Sequence, residues 1–200
     1  MIDYDPEKLA ALQRKIAGLL ERIERPGFFE GQGIGNNYPS YVFDYDPVFE
    51  TLIDKSIRDL EGFLAQKRPD LQVSKIHLFD FARRFLETQG KWDKSLQLEM
   101  QKGEDFLFGN LPKTLNGKVI ADTFLEQALL NAPGLILIHG VGMAWPILRG
   151  HEVLKNLPER IGKKIPIILF YPGEYDGKYL RPFGRFEDNN EYQALPWQFS

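Results

Sequence analysis

Two apolar runs, LILI at Leu135–Ile138 and IPIILF at Ile165–Phe170, limit what this chain can fold into more than any other feature. Neither alternates with polar residues, so each reads as a strand buried on both faces, and such strands need a parallel sheet with helices on either side. The rest of the chain supplies those helices. Leu9, Leu12, Ile16, Leu19, Leu20 and Ile23 recur at helical spacing up to about Arg25, ahead of Pro26-Gly27. Phe49, Leu52, Ile53, Ile57, Leu60 and Leu64 do the same between Pro47 and about Lys67. Both segments are preceded by the tetrapeptide DYDP, at Asp3–Pro6 and Asp44–Pro47, in which Asp serves as N-cap and Pro is pre-set for the first helical position.

Other segments follow the same alternation. GFFEGQGIGNNYPS reads as a loop, SYVFDY as a strand and VSKIHLF as a second strand. FARRFLETQG reads as a short helix. The pattern weakens from Lys91 to Lys118, where a helix is expected to give way to an irregular GNLPKTLNG. ADTFLEQALLNAPG is a helix stopped by Pro133-Gly134, AWPILRGHEVLKNL is helical again, and the stretch after Gly173 is turn-rich and aromatic. The expected fold is therefore a three-layer α/β domain over residues 1–200, with a mainly parallel sheet flanked by helices, an N-terminal helix and an aromatic tail. Ligands of such sheets sit beyond the carboxyl ends of the strands.

Composition narrows the function. A net charge of -3 with 25 Lys and Arg against 28 Asp and Glu argues against nucleic-acid binding by bulk electrostatics, although Arg83-Arg84 and Lys163-Lys164 are local basic pairs. The absence of cysteine removes disulfides, thiolate nucleophiles and Cys-ligated zinc. With neither a signal peptide nor a membrane-length apolar run, a soluble cytoplasmic protein is the expectation.

The turn HGVGMAWPILRG, from His139 to Gly150, resembles a phosphate-binding loop only at a distance. A dinucleotide fingerprint needs a third glycine where Trp145 stands, and none of the Gly-Lys pairs at Gly117, Gly162 and Gly177 is followed by Ser or Thr. What remains is a Rossmann-like or NTPase-like framework without its phosphate-binding motifs, leaving a tight strand-to-helix turn or a weak anion site at Gly140 and Gly142. His151-Glu152 lacks the second histidine of a zinc-protease helix, because Lys155 occupies that position. No serine lies in a nucleophile elbow, and His77 and His139 read as core or edge residues with satisfied nitrogens.

Carboxylates carry the enzymatic alternative. Asp44, Asp46, Asp80, Glu174 and Asp176 follow strands, and a parallel sheet would gather them at one edge, where acids can hold magnesium for phosphoryl-transfer or nuclease chemistry. Capping accounts for Asp46 and Asp80 equally well, and a turn accounts for Asp176-Gly177. In the tail, Tyr175, Tyr179, Phe183, Phe186, Tyr192, Trp197 and Phe199 alternate with Arg181 and Arg185. Aromatics and arginines of this kind either meet a partner or cover the domain's own sheet.

Taken together, GQGIGNNYPSYVFDYDP, GVGMAWPILRGHEVLKNLP and IPIILFYPGEYDGKYLRPFG resemble the BrxB family, a small component of bacterial BREX phage-defence systems. The resemblance spans almost the whole chain. Gly140, Gly142, Pro146 and Arg149 match the family's turn-and-helix motif, and Pro172, Gly173, Glu174, Tyr175, Asp176 and Gly177 match its last-strand motif. Family members close with a Tyr-Tyr-Arg-Ala-like segment, where this chain has Glu191-Tyr192-Gln193-Ala194. The resemblance implies a non-catalytic adaptor without cofactor, working beside other BREX components and binding the alkaline phosphatase-like protein PglZ. Arg149, Tyr175, Arg181, Arg185, Tyr192 and Trp197 are then the expected contact residues. A magnesium-dependent enzyme using the sheet-edge acids and a nucleotide sensor at the Gly140 turn are the competing expectations.

Overall fold

The computed structural model describes residues 4–25, 27–29, 39–115, 117–130, 132–145, 147–150, 165–184 and 194–197. Helix α1 (Pro6–Glu24) leads into strand β1 (Ser40–Tyr45), and a 3-10 turn (Pro47–Phe49) into α2 (Glu50–Lys67). After β2 (Val73–His77) come four helices in succession: α3 (Leu78–Thr88), α4 (Trp92–Lys102), α5 (Glu104–Thr114) and α6 (Gly117–Leu129). Strand β3 (Leu135–His139) precedes the single-turn helix α7 (Val141–Ala144), and β4 (Ile167–Tyr175) turns back as β5 (Leu180–Pro182) before β6 (Leu195–Pro196).

The strands lie in the order β2-β3-β4-β1-β6, all parallel, with β5 antiparallel on the end of β4. As the apolar runs require, β3 and the first seven residues of β4 are buried on both faces, apart from His139 at the end of β3. Their side chains alternate between two cores. Leu135, Leu137, Ile168 and Phe170 pack with Leu12, Leu19, Ile53, Ile57 and Leu64 under α1 and α2. Ile136, Ile138, Leu169 and Tyr171 pack with Phe81, Phe85, Phe124 and Val141 under α3, α6 and α7. The three layers expected from sequence are present.

Both DYDP segments begin helical structure as their chemistry requires. Asp5 accepts from the amides of Glu7 and Lys8 ahead of Pro6, and Asp46 accepts from Val48 ahead of Pro47. Two expectations need correction. The GNLPKTLNG segment is not irregular: α5 runs to Thr114, and α6 starts at Gly117. Gly103, with φ of 82°, breaks the helical stretch instead. Pro112 sits in the last turn of α5, where it forfeits one backbone hydrogen bond, while Leu111 and Leu115 are buried and hold the segment to the core. Likewise, the helix expected from Ala144 onward is not continuous: the single turn α7 ends at Ala144, Trp145 has extended backbone, and residues 147–149 are not helical. Pro146 and the stretch from His151 to Leu157 lie outside the described residues.

Candidate functional site: the carboxyl edge of the sheet

The chain leaves β1 toward one face of the sheet, into α2, and leaves β2 and β3 toward the other, into α3 and α7. Exits to opposite faces from β3 and β1, which flank β4, open a crevice at the carboxyl edge of the sheet. Two groups of side chains line it.

The first comes from the ends of β2 and β3. Their register pairs His77 with His139, and the two imidazoles meet edge to face with centroids 4.9 Å apart. His139 Nδ1 lies 3.1 Å from Asp54 Oδ1 on α2. A carboxylate can only accept, so Nδ1 carries the hydrogen and Nε2 keeps its lone pair. Burial holds the His139 pKa below its ordinary value, against the opposing pull of Asp54. His77 acts as the N-cap of α3, its Nδ1 accepting the Asp80 amide at 3.3 Å. The expected capping role of Asp80 is thus corrected: the cap stands one turn earlier, and Asp80 lies in the first helical turn. Gly140 is held at φ of 68°, and a Cβ there would fall 2.4 Å from His77 Nε2. The glycine is required by the ring beneath it as well as by its backbone angle.

The second group surrounds the ends of β1 and β4. A cleft of about 490 Å³ is bordered by Asp44, Asp46, Glu174 and Phe183. Asp44 and Asp46 in the cleft, and Asp176 beyond it, are engaged within the chain. Lys15 Nζ donates to Asp44 Oδ1 at 2.5 Å and to the Asp44 carbonyl at 2.6 Å, while the Tyr175 amide donates to Asp44 Oδ2 at 3.3 Å. Lys8 donates to Asp46 at 2.8 Å, and the hydrogen bond with Lys8 lowers the Asp46 pKa. Asp176 accepts the amides of Lys178 and Tyr179 and lies 3.3 Å from Arg181 Nη2. Asp44, Asp46 and Glu174 therefore share one cleft, as the sequence suggested, but Asp80 stands apart beside His77. Among the described residues no group of three or more His, Asp or Glu is placed to hold a metal ion.

Glu50 and Tyr45 join the two groups. The Tyr45 hydroxyl donates to Glu50 Oε2 at 2.7 Å, and burial raises the pKa of both side chains. A Cβ at Gly142 would sit 3.5 Å from the same Glu50 oxygen and 3.2 Å from Pro172 Cγ. Above it, Phe183 occupies left-handed backbone at φ of 55°, fixed by its amide on the Pro172 carbonyl at 2.9 Å and by an edge-on contact with Trp145 at 5.6 Å. Left-handed backbone is costly for an aromatic residue and marks a segment held by its surroundings. Gly173 serves the same hairpin, since a Cβ there would fall 2.2 Å from the Arg181 carbonyl oxygen.

The expected contact residues divide. Arg149 and Arg181 are exposed. Tyr175 and Trp197 are not: they are 6% and 2% exposed. Tyr175 donates its hydroxyl to the Ala194 carbonyl at 2.7 Å, and burial pushes its pKa up to about 12. Trp197 packs on Tyr41 and Phe28 with the Arg22 guanidinium 4.8 Å above its ring. Within the chain these two cover the domain's own sheet. Pro146, Arg185 and Tyr192 lie outside the described residues. Glu50, Asp54, Tyr45 and the pairing of His77 with His139 went unread in the sequence, although a shared signal existed: β2 and β3 both end in Ile-His.

The sequence model of the family described as "BREX protein BrxB" matches residues 74–196 of this chain. The chain belongs to the BrxB family. Two relatives carry that same description. The BrxB protein of Bacillus cereus (strain H3081.97) is 30% identical over 188 residues, covering 92% of this chain and 96% of its own. That of Escherichia coli O9:H4 (strain HS) is 29% identical over 184 residues, covering 92% and 90%. No solved structure matches the chain. The match to the BrxB family model includes β2 through β6, and with them both histidines, the Gly140 turn and the β4–β5 hairpin.

Proposed function

We propose that this chain is a non-catalytic assembly or adaptor subunit of a BREX anti-phage defence complex, working in the cytoplasm as one α/β domain and binding the PglZ-like component. The observation that carries this reading is the match to BREX proteins over nine-tenths of both chains. The chemistry of the crevice favours it over turnover. Asp44, Asp46, Asp176, Asp54 and Glu50 each satisfy a partner within the chain, so they stiffen the carboxyl edge instead of converging on a shared point. Rigid edges of this kind present contact residues well. The contact surface is assigned to exposed Arg149 and Arg181, with Met143 of α7, 54% exposed, six residues before Arg149. Among the described residues no helix is long and apolar enough to cross a membrane.

Size-exclusion chromatography with light scattering, on the chain alone and mixed with the PglZ-like protein of the same system, tests the reading. A co-eluting complex is expected, weakened at least about tenfold by Arg149→Glu or Arg181→Glu with unchanged thermal unfolding. Two separate peaks for the wild-type chain would sink it.

A further inference from the structure

The two edges of the sheet are finished differently. Beyond β1, the short β6 pairs with Tyr41 and Val42, and the Trp197 amide donates to the Val42 carbonyl at 2.9 Å. Beyond β2, no strand among the described residues pairs with the outer side. The inner ladder identifies the groups left open. The Leu135 amide donates to the Gln72 carbonyl at 3.3 Å, and the Ile136 amide turns the other way, to Pro166, at 3.0 Å. In a parallel ladder alternate residues bond to alternate sides, so Gln72, Ser74 and Ile76 serve β3 while the amides and carbonyls of Val73 and Lys75 point outward.

This edge forms the floor of a cleft of about 310 Å³, with Glu61 of α2 on one wall and, on the other, Gln127 of α6 and Leu130 just past its end. Leu130 is 67% exposed, a large apolar side chain at the rim. A lysine on an edge strand ordinarily guards it against pairing. Here the Lys75 ammonium is held in an ion pair with Glu61 of α2, which commits the guarding charge to one face of the sheet.

We propose that the β2 edge is a docking site for an extended segment of a partner protein, which adds as a further strand by pairing with Val73 and Lys75. Side chains of an added strand alternate between the two walls. The segment that fits carries apolar residues facing Leu130 and charged residues facing the Glu61–Lys75 pair. A second copy of this chain is the competing occupant, and the test below separates it from a partner segment. The site uses none of the residues assigned above to the PglZ-like component.

A yeast-displayed library of eight-residue peptides, apolar and charged at alternate positions, would be selected on the full chain, with the Lys75→Pro variant as counter-target. Lys75→Pro removes one outward amide and leaves the ladder to β3 intact, so thermal unfolding should be retained. Selected peptides should slow hydrogen exchange at the Val73 and Lys75 amides and bind Lys75→Pro at least about tenfold more weakly. Leu130→Asp, on the exposed rim, should weaken the same peptides without disturbing the strand, and Arg181→Glu should not. Failure to enrich any peptide, equal binding to wild type and Leu130→Asp, or protection away from β2 would overturn the proposal. So would a concentration-dependent dimer dissolved by Lys75→Pro, which would assign the edge to a second copy.

Discussion

His139 shows how one residue can be read correctly in kind and missed in place. A histidine ending an apolar strand was expected to have satisfied nitrogens, and its Nδ1 is indeed held by Asp54 at 3.1 Å. The unread fact is that the parallel register sets His77 directly beside it, at the carboxyl edge where ligands of such sheets bind. Its titration has a definite sign. Burial lowers the folded pKa beneath 6.5, so on acidification the unfolded chain takes up a proton before the folded one does. The stability contributed by neutral His139 is present above about pH 6.5 and is lost as pH falls below it toward the folded value. Glu50, whose pKa is raised by burial, titrates with the opposite slope, so the wild-type curve alone does not isolate the effect. Urea unfolding of wild type and His139→Gln across pH 5 to 7.5 should show the wild type losing more stability on acidification. Parallel curves for the two proteins would refute the assignment.

At the scale of elements, strong patterns were legible and weak ones were decided by tertiary contacts. The SYVFDY strand, the LILIH strand and the helices after each DYDP occupy nearly the bounds read from sequence, because periodicity, capping and burial all favour the same structure there. The α5 segment was misread because Gly109 and Pro112 mark a loop locally, whereas burial of Leu111 and Leu115 rewards a helix. Acids at the strand ends were legible as neighbours, but not as partners of basic residues on α1. Lys15 on α1 and Asp44 on β1 form a pair with only 22% and 24% of the side-chain surfaces exposed, which ties the first helix to the sheet edge. Asp44→Ala would leave the sheltered ammonium with the Asp44 carbonyl and the Phe43 ring, 4.9 Å away, and remove the carboxylate that accepts from the Tyr175 amide. A loss of about 2 kcal/mol is expected, seen as a fall of about 4–8 °C in Tm by calorimetry. An unchanged Tm would show that α1 is held by its apolar face alone.

At the scale of the whole molecule, the two sheet edges show why an aromatic tail can be marked by composition without revealing what it covers. Aromatics and arginines mark surfaces that must be kept from water, and composition does not say whether the cover is a partner or the chain itself. Here Trp197 is the cover: it lies over Tyr41 and Phe28 while β6 occupies the outer side of β1. Ending the chain at residue 193 would strip that edge and expose the aromatic cluster beneath it. Removing a fully buried tryptophan costs about 3–5 kcal/mol, and an uncovered edge strand is a template for pairing with another chain. The truncated protein should therefore melt lower and self-associate at concentrations where the full chain stays at one mass by light scattering. Because the new contact would form at β1, Lys75→Pro on the distant β2 edge should not restore the lower mass. If it did, the open β2 edge would be the self-associating one, and the tail would be guarding it indirectly.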